Sequence, residues 1–184
     1  MNARLTLLAT ACVLALAACG GETAPAEQAA TPATPGSVAV ETAANDAARA
    51  DVVAPATDCS AEITGTDAMQ FDTDSITVPS TCGEFTITLH HAGQMPVAAM
   101  GHNVVVSLAS DREAIATAGM AAGPEGDYLP AGDPRIIAHT GLVGGGESTS
   151  VTFPVSALQG AGPYEFFCSF PGHWAMMRGT IQVI

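Results

Sequence analysis

The chain has 184 residues, a length typical of one domain of ordinary size plus a tail. It carries 5 basic and 18 acidic residues and no lysine, for a net charge of −13. This charge excludes nucleic-acid binding through phosphate neutralisation and suits a partner with a basic docking face. Because only 12% of residues are charged and 19 are glycine, we expect a β-rich domain with many turns.

Residues 1–18 have the pattern of an export signal. Arg4 gives a positive start, and the mostly apolar run after it is too short to span a bilayer. Small residues then precede Cys19, as in the bacterial lipoprotein signal that this segment resembles. We therefore expect a lipidated Cys19 that anchors the chain to a membrane. The alternative is an ordinary cleaved signal with an incidental cysteine.

Residues 19–57 comprise the lipidated N-terminus and a linker rich in Ala, Pro and Thr. The linker has no aromatic residue and no regular apolar period, so it lacks the surface needed to form a core. It is predicted to be a flexible tether for the folded domain. A segment that docks on the domain is the alternative.

Residues 58–184 are predicted to form the folded domain. Short strand-like runs alternate with turn residues, and Asp111 to Met120 is the one predicted helix. This pattern favours an all-β fold, a Greek-key sandwich or barrel with one inserted helix. The strand candidates are 63–64, 71–78, 85–89, 104–108, 135–139, 148–155, 164–168 and 179–184.

The five cysteines separate into three groups. We expect Cys12 to be removed with the signal and Cys19 to carry the lipid. Cys59 and Cys82 flank the first predicted strands, and in an oxidising compartment we expect them to form a disulfide. Two free buried thiols are the alternative. Cys168 is then left unpaired and available as a metal ligand.

The segment from Cys168 to Met177 carries the most specific chemistry in the chain. A thiol, an imidazole and a thioether follow one another as Cys168, His173 and Met177, with Pro-Gly forcing a tight loop between the first two. Thiolate, imidazole and a weak axial thioether are ligands of blue-copper electron-transfer sites, which require a second imidazole. Its best candidate is His102, which is flanked by Gly101 and precedes an apolar strand. The alternatives are His90, His91 and His139.

Residues 58–184 resemble the azurins, bacterial blue copper proteins of the cupredoxin family, and the whole chain resembles their membrane-anchored, lipid-modified form. The most specific shared feature is the ligand spacing Cys-x4-His-x3-Met. The other matching stretches are Asp58–Ser60, Ala68–Val78, Met100–Asn103, Asp127–Leu129, Arg135–Thr140, Ser150–Phe153 and Phe166–His173.

The resemblance implies a cupredoxin fold around one copper ion. It implies that His102, Cys168 and His173 are the strong ligands, with Met177 as the axial thioether and the Gly101 carbonyl as a weak opposing contact. It further implies that Asn103 ties the two ligand segments together and that the Phe170 N–H points at the thiolate sulfur, where such donors tune the redox potential.

The family also has a flat apolar docking patch beside the site. The positions carried over to this chain are Met69, Met95, Ala99, Met100, Phe170, Pro171, Gly172 and Met176. Adaptable methionines suit transient docking, and loose core filling is their alternative role.

Two positions depart from the family pattern, and a third matches a titrating histidine of the family. Val104 occupies the position of the family's buried tryptophan, so the core is expected to pack differently. The only tryptophan is Trp174, directly after a ligand, where the family usually has a small residue. We expect it on or beside the docking patch, where it shapes partner fit or shields His173. His91 lies at the position of a titrating histidine in the family, which implies a link between pH and potential.

The predicted function is one-electron transfer in the envelope of a Gram-negative bacterium, with no enzymatic activity and no small-molecule substrate. The expected partners are redox proteins such as c-type cytochromes or copper enzymes. The domain is expected in the periplasm or at the surface, with the outer membrane preferred for the anchor. The alternative is a module for copper storage or delivery. A copper nitrite reductase needs a second copper site and a longer chain.

Overall fold

The computed structural model describes residues 59–184 and the backbone of Val53–Ala54. Two β-sheets face each other as an unclosed sandwich, which confirms the predicted fold class. The ten strands are β1 (Val53–Ala54), β2 (Ser60–Thr66), β3 (Gln70–Phe71), β4 (Ser75–Val78), β5 (Glu84–His91), β6 (Val105–Leu108), β7 (Ala138–His139), β8 (Ser148–Pro154), β9 (Tyr164–Phe167) and β10 (Arg178–Val183).

One sheet has six strands in the order β1-β4-β10-β9-β6-β7, and the other has four in the order β3-β2-β5-β8. β10 runs parallel to β4 and antiparallel to β9, while β2 runs parallel to β5. Consecutive strands β4 and β5 lie in different sheets, so the chain crosses repeatedly between the two layers.

The main core lies between the sheets. After the exposed Glu84, β5 alternates between buried and half-buried positions, with Phe85, Ile87 and Leu89 pointing inward, as expected of a strand with one buried face. Phe166 from β9 and Ile181 from β10 are buried in the same cluster. These side chains hold the sheets together beneath the strand ends from which the ligand loops emerge.

Helix α2 (Arg112–Gly119) covers the outer face of the six-stranded sheet. Its buried Ile115 and Ala116 pack with Val105 of β6 and Phe167 of β9 in a second cluster. β6 and β9 are therefore buried on both faces, as the continuous apolar run of β6 predicted. The other α-helical segment, α1 (Val97–Met100), is a single turn.

Two predicted strands differ from the observed ones. The run 71–78 was predicted as one strand, but it divides into β3 and β4 in opposite sheets. The pairing with β2 ends at Asp72, whose N–H still donates to the Thr64 carbonyl at 2.9 Å but whose side-chain Oδ1 accepts the Thr64 N–H at 2.8 Å. The predicted strand 135–139 retains only β7, since Arg135 is held in a turn by its side chain and backbone N–H bonding to Asp133.

Cys59 and Cys82 form the predicted disulfide, with Cα atoms 5.7 Å apart. Cys168 is buried and is the free cysteine of the described residues. The disulfide therefore joins the residue just before β2 to the segment just before β5.

Val53–Ala54 pair in parallel with Ser75 and Ile76, although the sequence placed them in the tether. The predicted signal, Cys12, Cys19 and the rest of the linker lie outside the described residues. Within the described part of the chain, no helix is long and apolar enough to cross a membrane.

Candidate metal centre

The loop from Cys168 to Met177 joins the antiparallel neighbours β9 and β10. Its ends are fastened by a hydrogen bond of 3.0 Å from the Cys168 N–H to the Met177 carbonyl. Gly172 has φ of +84°, the left-handed conformation that glycine adopts without strain. A turn bond of 2.9 Å from the His173 N–H to the Phe170 carbonyl follows from this bend and brings His173 back toward Cys168.

His102 reaches the same point from another part of the chain. It lies just before β6 and forms an isolated antiparallel bridge with Val143, with hydrogen bonds of 3.0 and 2.9 Å. Gly101 packs closely before it, because a Cβ there would lie 2.6 Å from the Val97 carbonyl oxygen. The bridge and the glycine together direct the His102 ring into the sandwich, where it is fully buried.

His102, Cys168 and His173 form one buried cluster. Each offers one ligand atom, and these atoms all lie within 4.8 Å of one another. The Cys168 Sγ is 3.6 Å from the His173 Nδ1, and the two imidazole rings are 5.1 Å apart between centroids. Among the described residues, this is the cluster of three or more His, Cys, Asp or Glu side chains suited to a metal ion.

Both ring nitrogens of His102 lie against backbone carbonyl oxygens. Nε2 lies 2.9 Å from the Thr66 carbonyl oxygen, and Nδ1 lies 3.0 Å from the Gly101 carbonyl oxygen. Burial is the main cause that lowers the pKa of His102, so the ring is neutral and has a single N–H. If that proton is on Nε2, where it donates to the Thr66 carbonyl, the Nδ1 lone pair would be available to a metal ion.

Burial favours the uncharged forms of Cys168 and His173 in the metal-free protein. Burial raises the pKa of its thiol to about 12, against the opposing effect of hydrogen bonds from the backbone N–H groups of Asn103 and Phe170. Burial likewise lowers the pKa of His173 to about 4, with smaller contributions from His102 and His91. The imidazole is therefore neutral and free to bind a metal, and a cation supplies the charge that a buried thiolate needs.

Asn103 links the two ligand segments. Its Nδ2 donates to the Ser169 Oγ at 2.7 Å and to the Asp127 carbonyl at 3.1 Å, and its Oδ1 accepts the Ser169 N–H at 2.8 Å. All three contacts are short enough to be ordinary hydrogen bonds. Asn103 is fully buried, so this network is shielded from water.

Comparison with known proteins identifies the family. The family described as copper binding proteins of the plastocyanin/azurin type matches residues 57–184. The chain belongs to this family. The azurin of Alcaligenes faecalis is 60% identical over 125 residues, which cover 68% of this chain and 98% of the relative. The azurin of Pseudomonas aeruginosa is 52% identical over 128 residues, 70% of this chain and 86% of the relative.

The structural comparison agrees with the sequence comparison. The azurin Az-iso2 from the obligate methylotroph Methylomonas sp. strain J superposes with a TM-score of 0.67 at 44% identity. The match covers 70% of this chain and 99% of that one. Azurins are copper proteins of electron transfer and not enzymes, so the cofactor of this family member is copper.

The residues of the cluster fit a copper ion. A soft thiolate with two imidazoles is the donor set of blue-copper centres, which add a weak axial thioether. Met177 is fully buried in the main core, whereas its neighbour Met176 is 55% exposed. The Gly101 carbonyl oxygen lies 3.8 Å from the Cys168 Sγ, on the border of the same cluster.

The remaining histidines lie outside this donor set. His91 is buried with its ring 4.1 Å from that of His102, but its nitrogens lie against Asp67 and the Val143 carbonyl. His90 is bonded to Ser148 at 2.7 Å, and His139 is an exposed residue of β7. Of the sequence candidates, His102 alone joins Cys168 and His173.

Most positions carried over as a docking patch are accessible. Of the five exposed large apolar side chains in the described residues, Met95, Val97 and Met176 belong to segments that flank the site. Val97 was not foreseen from the sequence. We call the following set the docking surface: Met69, Met95, Val97, Ala99, Met100, Phe170, Pro171, Gly172 and Met176. Met69 and Phe170 are half-buried, and each also packs against the main core.

Trp174 is half-buried and packs against the cluster beneath α2. The Arg112 guanidinium lies over its ring, 5.9 Å from the centroid. Its main described contacts are therefore with the helix side of the loop.

Two further residues shape the site without having been predicted. The Thr66 carbonyl holds the His102 ring, and Gly65 lies against that ring, because a Cβ on Gly65 would be 2.7 Å from the His102 Cδ2. Both belong to β2, 36 or more positions before His102. The sequence of β2 alone does not predict this contact, since it forms only when β2 and the segment of His102 pack together.

Proposed function

We propose that the chain is a blue copper protein that carries single electrons between redox proteins of the cell envelope. The observation that carries the proposal is the buried cluster of Cys168, His102 and His173, with ligand atoms within 4.8 Å of one another. In the proposal these three side chains would hold the copper ion as strong ligands, and the Met177 thioether and the Gly101 carbonyl would add weak contacts. Copper, when bound, supplies the one-electron redox change.

The protein contributes rigidity and exclusion of water. The Asn103 network and the bridge of His102 to Val143 fix the ligand segments before a metal arrives. The three strong ligands are each at most 2% exposed, so no side opens to a substrate. A fixed ligand set keeps rearrangement small when the charge of the site changes, which favours electron transfer and disfavours exchange of the metal.

Copper titration into the metal-free protein tests this function. We expect an intense visible absorption that saturates at one equivalent and reversible bleaching on reduction. Cys168→Ser should abolish the colour, while His139→Asn, which alters an exposed histidine of β7, should leave it unchanged. A colourless complex would contradict electron transfer. Rapid loss of copper to a weak chelator would instead support storage or delivery.

The proposed partner is a redox protein with a basic docking face, such as a c-type cytochrome or a copper enzyme. Residues 59–184 carry 3 arginines and 12 acidic side chains, a formal charge of 3 − 12 = −9. Arg112 and Arg178 are both paired with Glu165, and Arg135 is paired with Asp133. The arginines of the described part are thus already engaged, which leaves an acidic surface that steers basic partners.

For location we propose the periplasm or cell surface, with a lipid anchor at Cys19 in the outer membrane. Residues 1–18 would be the signal, 19–57 the lipidated start and tether, and 58–184 the copper domain. Relatives from Gram-negative bacteria and the Cys59–Cys82 disulfide support an exported domain. Cys19→Ala should move the protein from the membrane to the soluble fraction. An unchanged distribution would contradict the anchor.

A further inference from the structure

The outer face of β9 lies directly behind the metal cluster. Successive side chains of a strand point to opposite faces. Phe166 and Cys168 accordingly belong to the main core, while Phe167 belongs to the cluster beneath α2. Glu165, two positions before Phe167, shares that outer face. The strand that supplies the thiol thus supports a separate arrangement on its other side.

Residues next to both Cys168 and His173 pack in the cluster beneath α2. Phe167 is fully buried in it and immediately precedes Cys168. Trp174 packs against it and immediately follows His173. Two ligands that are five positions apart in sequence are therefore each one peptide bond from the same group of packed side chains.

Trp174 also contacts a network of charged side chains. Glu165 is 8% exposed, and its two carboxylate oxygens meet the guanidinium groups of Arg112 and Arg178. Arg112, which begins α2, also lies over the Trp174 ring. A cation over an indole face is attracted to it, and a buried carboxylate fixes the direction of the guanidinium. The chain of contacts therefore runs from β9 through Arg112 to Trp174.

His173 needs such support more than His102 does. The Nε2 of His102 is held by the Thr66 carbonyl, and Gly65 packs against its ring. In the described part of the chain, the side-chain hydrogen bond of His173 is to a possible fellow ligand, since its Nδ1 contacts the Cys168 sulfur. Its ring otherwise packs beside Phe170, 4.6 Å away between centroids. Backbone hydrogen bonds with Phe170, Met176 and Met177 hold the main chain of His173, so it is the orientation of its ring that depends on packing by its neighbours in the loop.

We propose that Arg112 and Trp174 are positioning residues for the copper site. Glu165 orients Arg112, Arg112 clamps Trp174 against the α2 cluster, and Trp174 fixes His173 at its distance from Cys168. The copper measurements of this proposal rest on the proposed function. The clamp itself is a property of the metal-free protein and can be tested alone.

Trp174 is the sole tryptophan of the chain, so its fluorescence reports on the clamp directly. In metal-free Arg112→Met we expect the emission to shift to longer wavelength and a soluble quencher to reach the indole more easily. Arg112→Lys, which keeps a cation of similar reach, should restore most of both. Arg135→Met removes the same charge from a different ion pair and should leave the emission at the parent value.

The copper-loaded variants test the positioning role. Loosening a group that orients a metal ligand typically lowers metal affinity about 10-fold or more, and we expect this for Arg112→Met with a shifted visible spectrum. Arg112→Lys should return affinity and spectrum toward the parent. If Arg112→Met does not fold, Trp174→Ala and Trp174→Phe replace it, with weaker copper binding expected for alanine than for phenylalanine.

The outcomes separate the two proposals. Parent-like emission and affinity in Arg112→Met, equal shifts in Arg135→Met, or equal affinities of the two Trp174 variants would overturn the clamp. A parent protein that binds no copper would overturn the proposed function, while the emission of the metal-free variants would still decide whether the clamp exists.

Discussion

The Ser169 N–H donates to the Asn103 Oδ1 at 2.8 Å, and the Asn103 Nδ2 donates to the Ser169 Oγ at 2.7 Å, across 66 positions of sequence. Asn103 follows His102, and Ser169 follows Cys168. The paired hydrogen bonds therefore fasten the residues next to two ligands that reach the site from distant parts of the chain.

Asn103→Ala should destabilise the metal-free protein by about 2 kcal/mol, because it leaves the buried Ser169 N–H without its acceptor. Urea unfolding of the metal-free protein measures this loss. Ser169→Ala is the control, since it removes a hydroxyl and keeps the hydrogen bond from the Ser169 N–H to the Asn103 Oδ1. A loss in Asn103→Ala no larger than that in Ser169→Ala would contradict the role of this hydrogen bond.

Gly65→Ala should weaken copper binding by about 10-fold, because the new methyl group would overlap the His102 ring, which must move. We also expect a loss of about 1–3 kcal/mol in stability from overpacking. Competition with a chelator and thermal unfolding measure the two effects.

Gly83→Ala is the matched control for this substitution. A Cβ on Gly83 meets nothing within 4 Å, so affinity and stability should stay close to the parent values. Equal behaviour of the two alanine variants would show that the contact of Gly65 with His102 does not constrain the site.

The ligand loop was predictable because its chemistry is local. The loop contains Cys168, His173 and Met177 within ten positions, and its Pro-Gly pair predicts the turn that brings the first two together. The contacts that hold His102 were not predictable. Gly65 and Thr66 contact its ring only after β2 and the segment before β6 have packed. An isolated glycine in a strand suggests a close approach but does not indicate which residue lies against it.

The strands were predictable where a face alternates, as in β5, and less so where a turn is built by side chains. Phe71 and Val78 belong to one apolar pattern but to different sheets. The break between them depends on the bond from the Thr64 N–H to Asp72, which joins two segments of the fold. Apolar periodicity describes which face is buried and carries no information about the sheet to which it belongs.

Opening the Cys59–Cys82 disulfide should lower the free energy of unfolding by about 3 kcal/mol, since a sequence separation of 23 residues is no longer closed in the unfolded chain. Paired Cys59→Ser and Cys82→Ser substitutions in a denaturant titration measure this. The metal cluster consists of other residues, so the visible copper spectrum should be retained. An unchanged denaturation midpoint would contradict the expected stabilisation.

Met176→Lys should slow electron exchange with a basic redox partner, because it replaces an exposed apolar contact with a charge of the same sign as the partner. Stopped-flow kinetics at several salt concentrations measure the rate. Met120→Lys adds the same charge at a methionine that is 59% exposed and lies in the 3₁₀ turn after α2. If both variants slow exchange equally, overall charge and not the docking surface determines the rate.

The Asp133–Arg135 pair should stabilise the protein in a pH-dependent manner. Hydrogen bonds from Arg135 lower the pKa of Asp133 to about 2, below the value of about 3.9 for an unfolded chain. The unfolded state therefore binds the proton first as pH falls, and the stabilisation present above about pH 4 is lost toward about pH 2. Carboxyl NMR titration locates the pKa, and Arg135→Met should raise it toward the unfolded value. A normal pKa in the parent would contradict the ion pair.

Met176 and Met177 are adjacent in sequence, yet one is 55% exposed and the other fully buried. Peroxides convert accessible thioethers to polar sulfoxides. Mild oxidative stress should thus modify Met176 before it reaches Met177. A damaged molecule would keep its metal and its colour while recognising its partners less well, a lesion that methionine sulfoxide reduction can reverse.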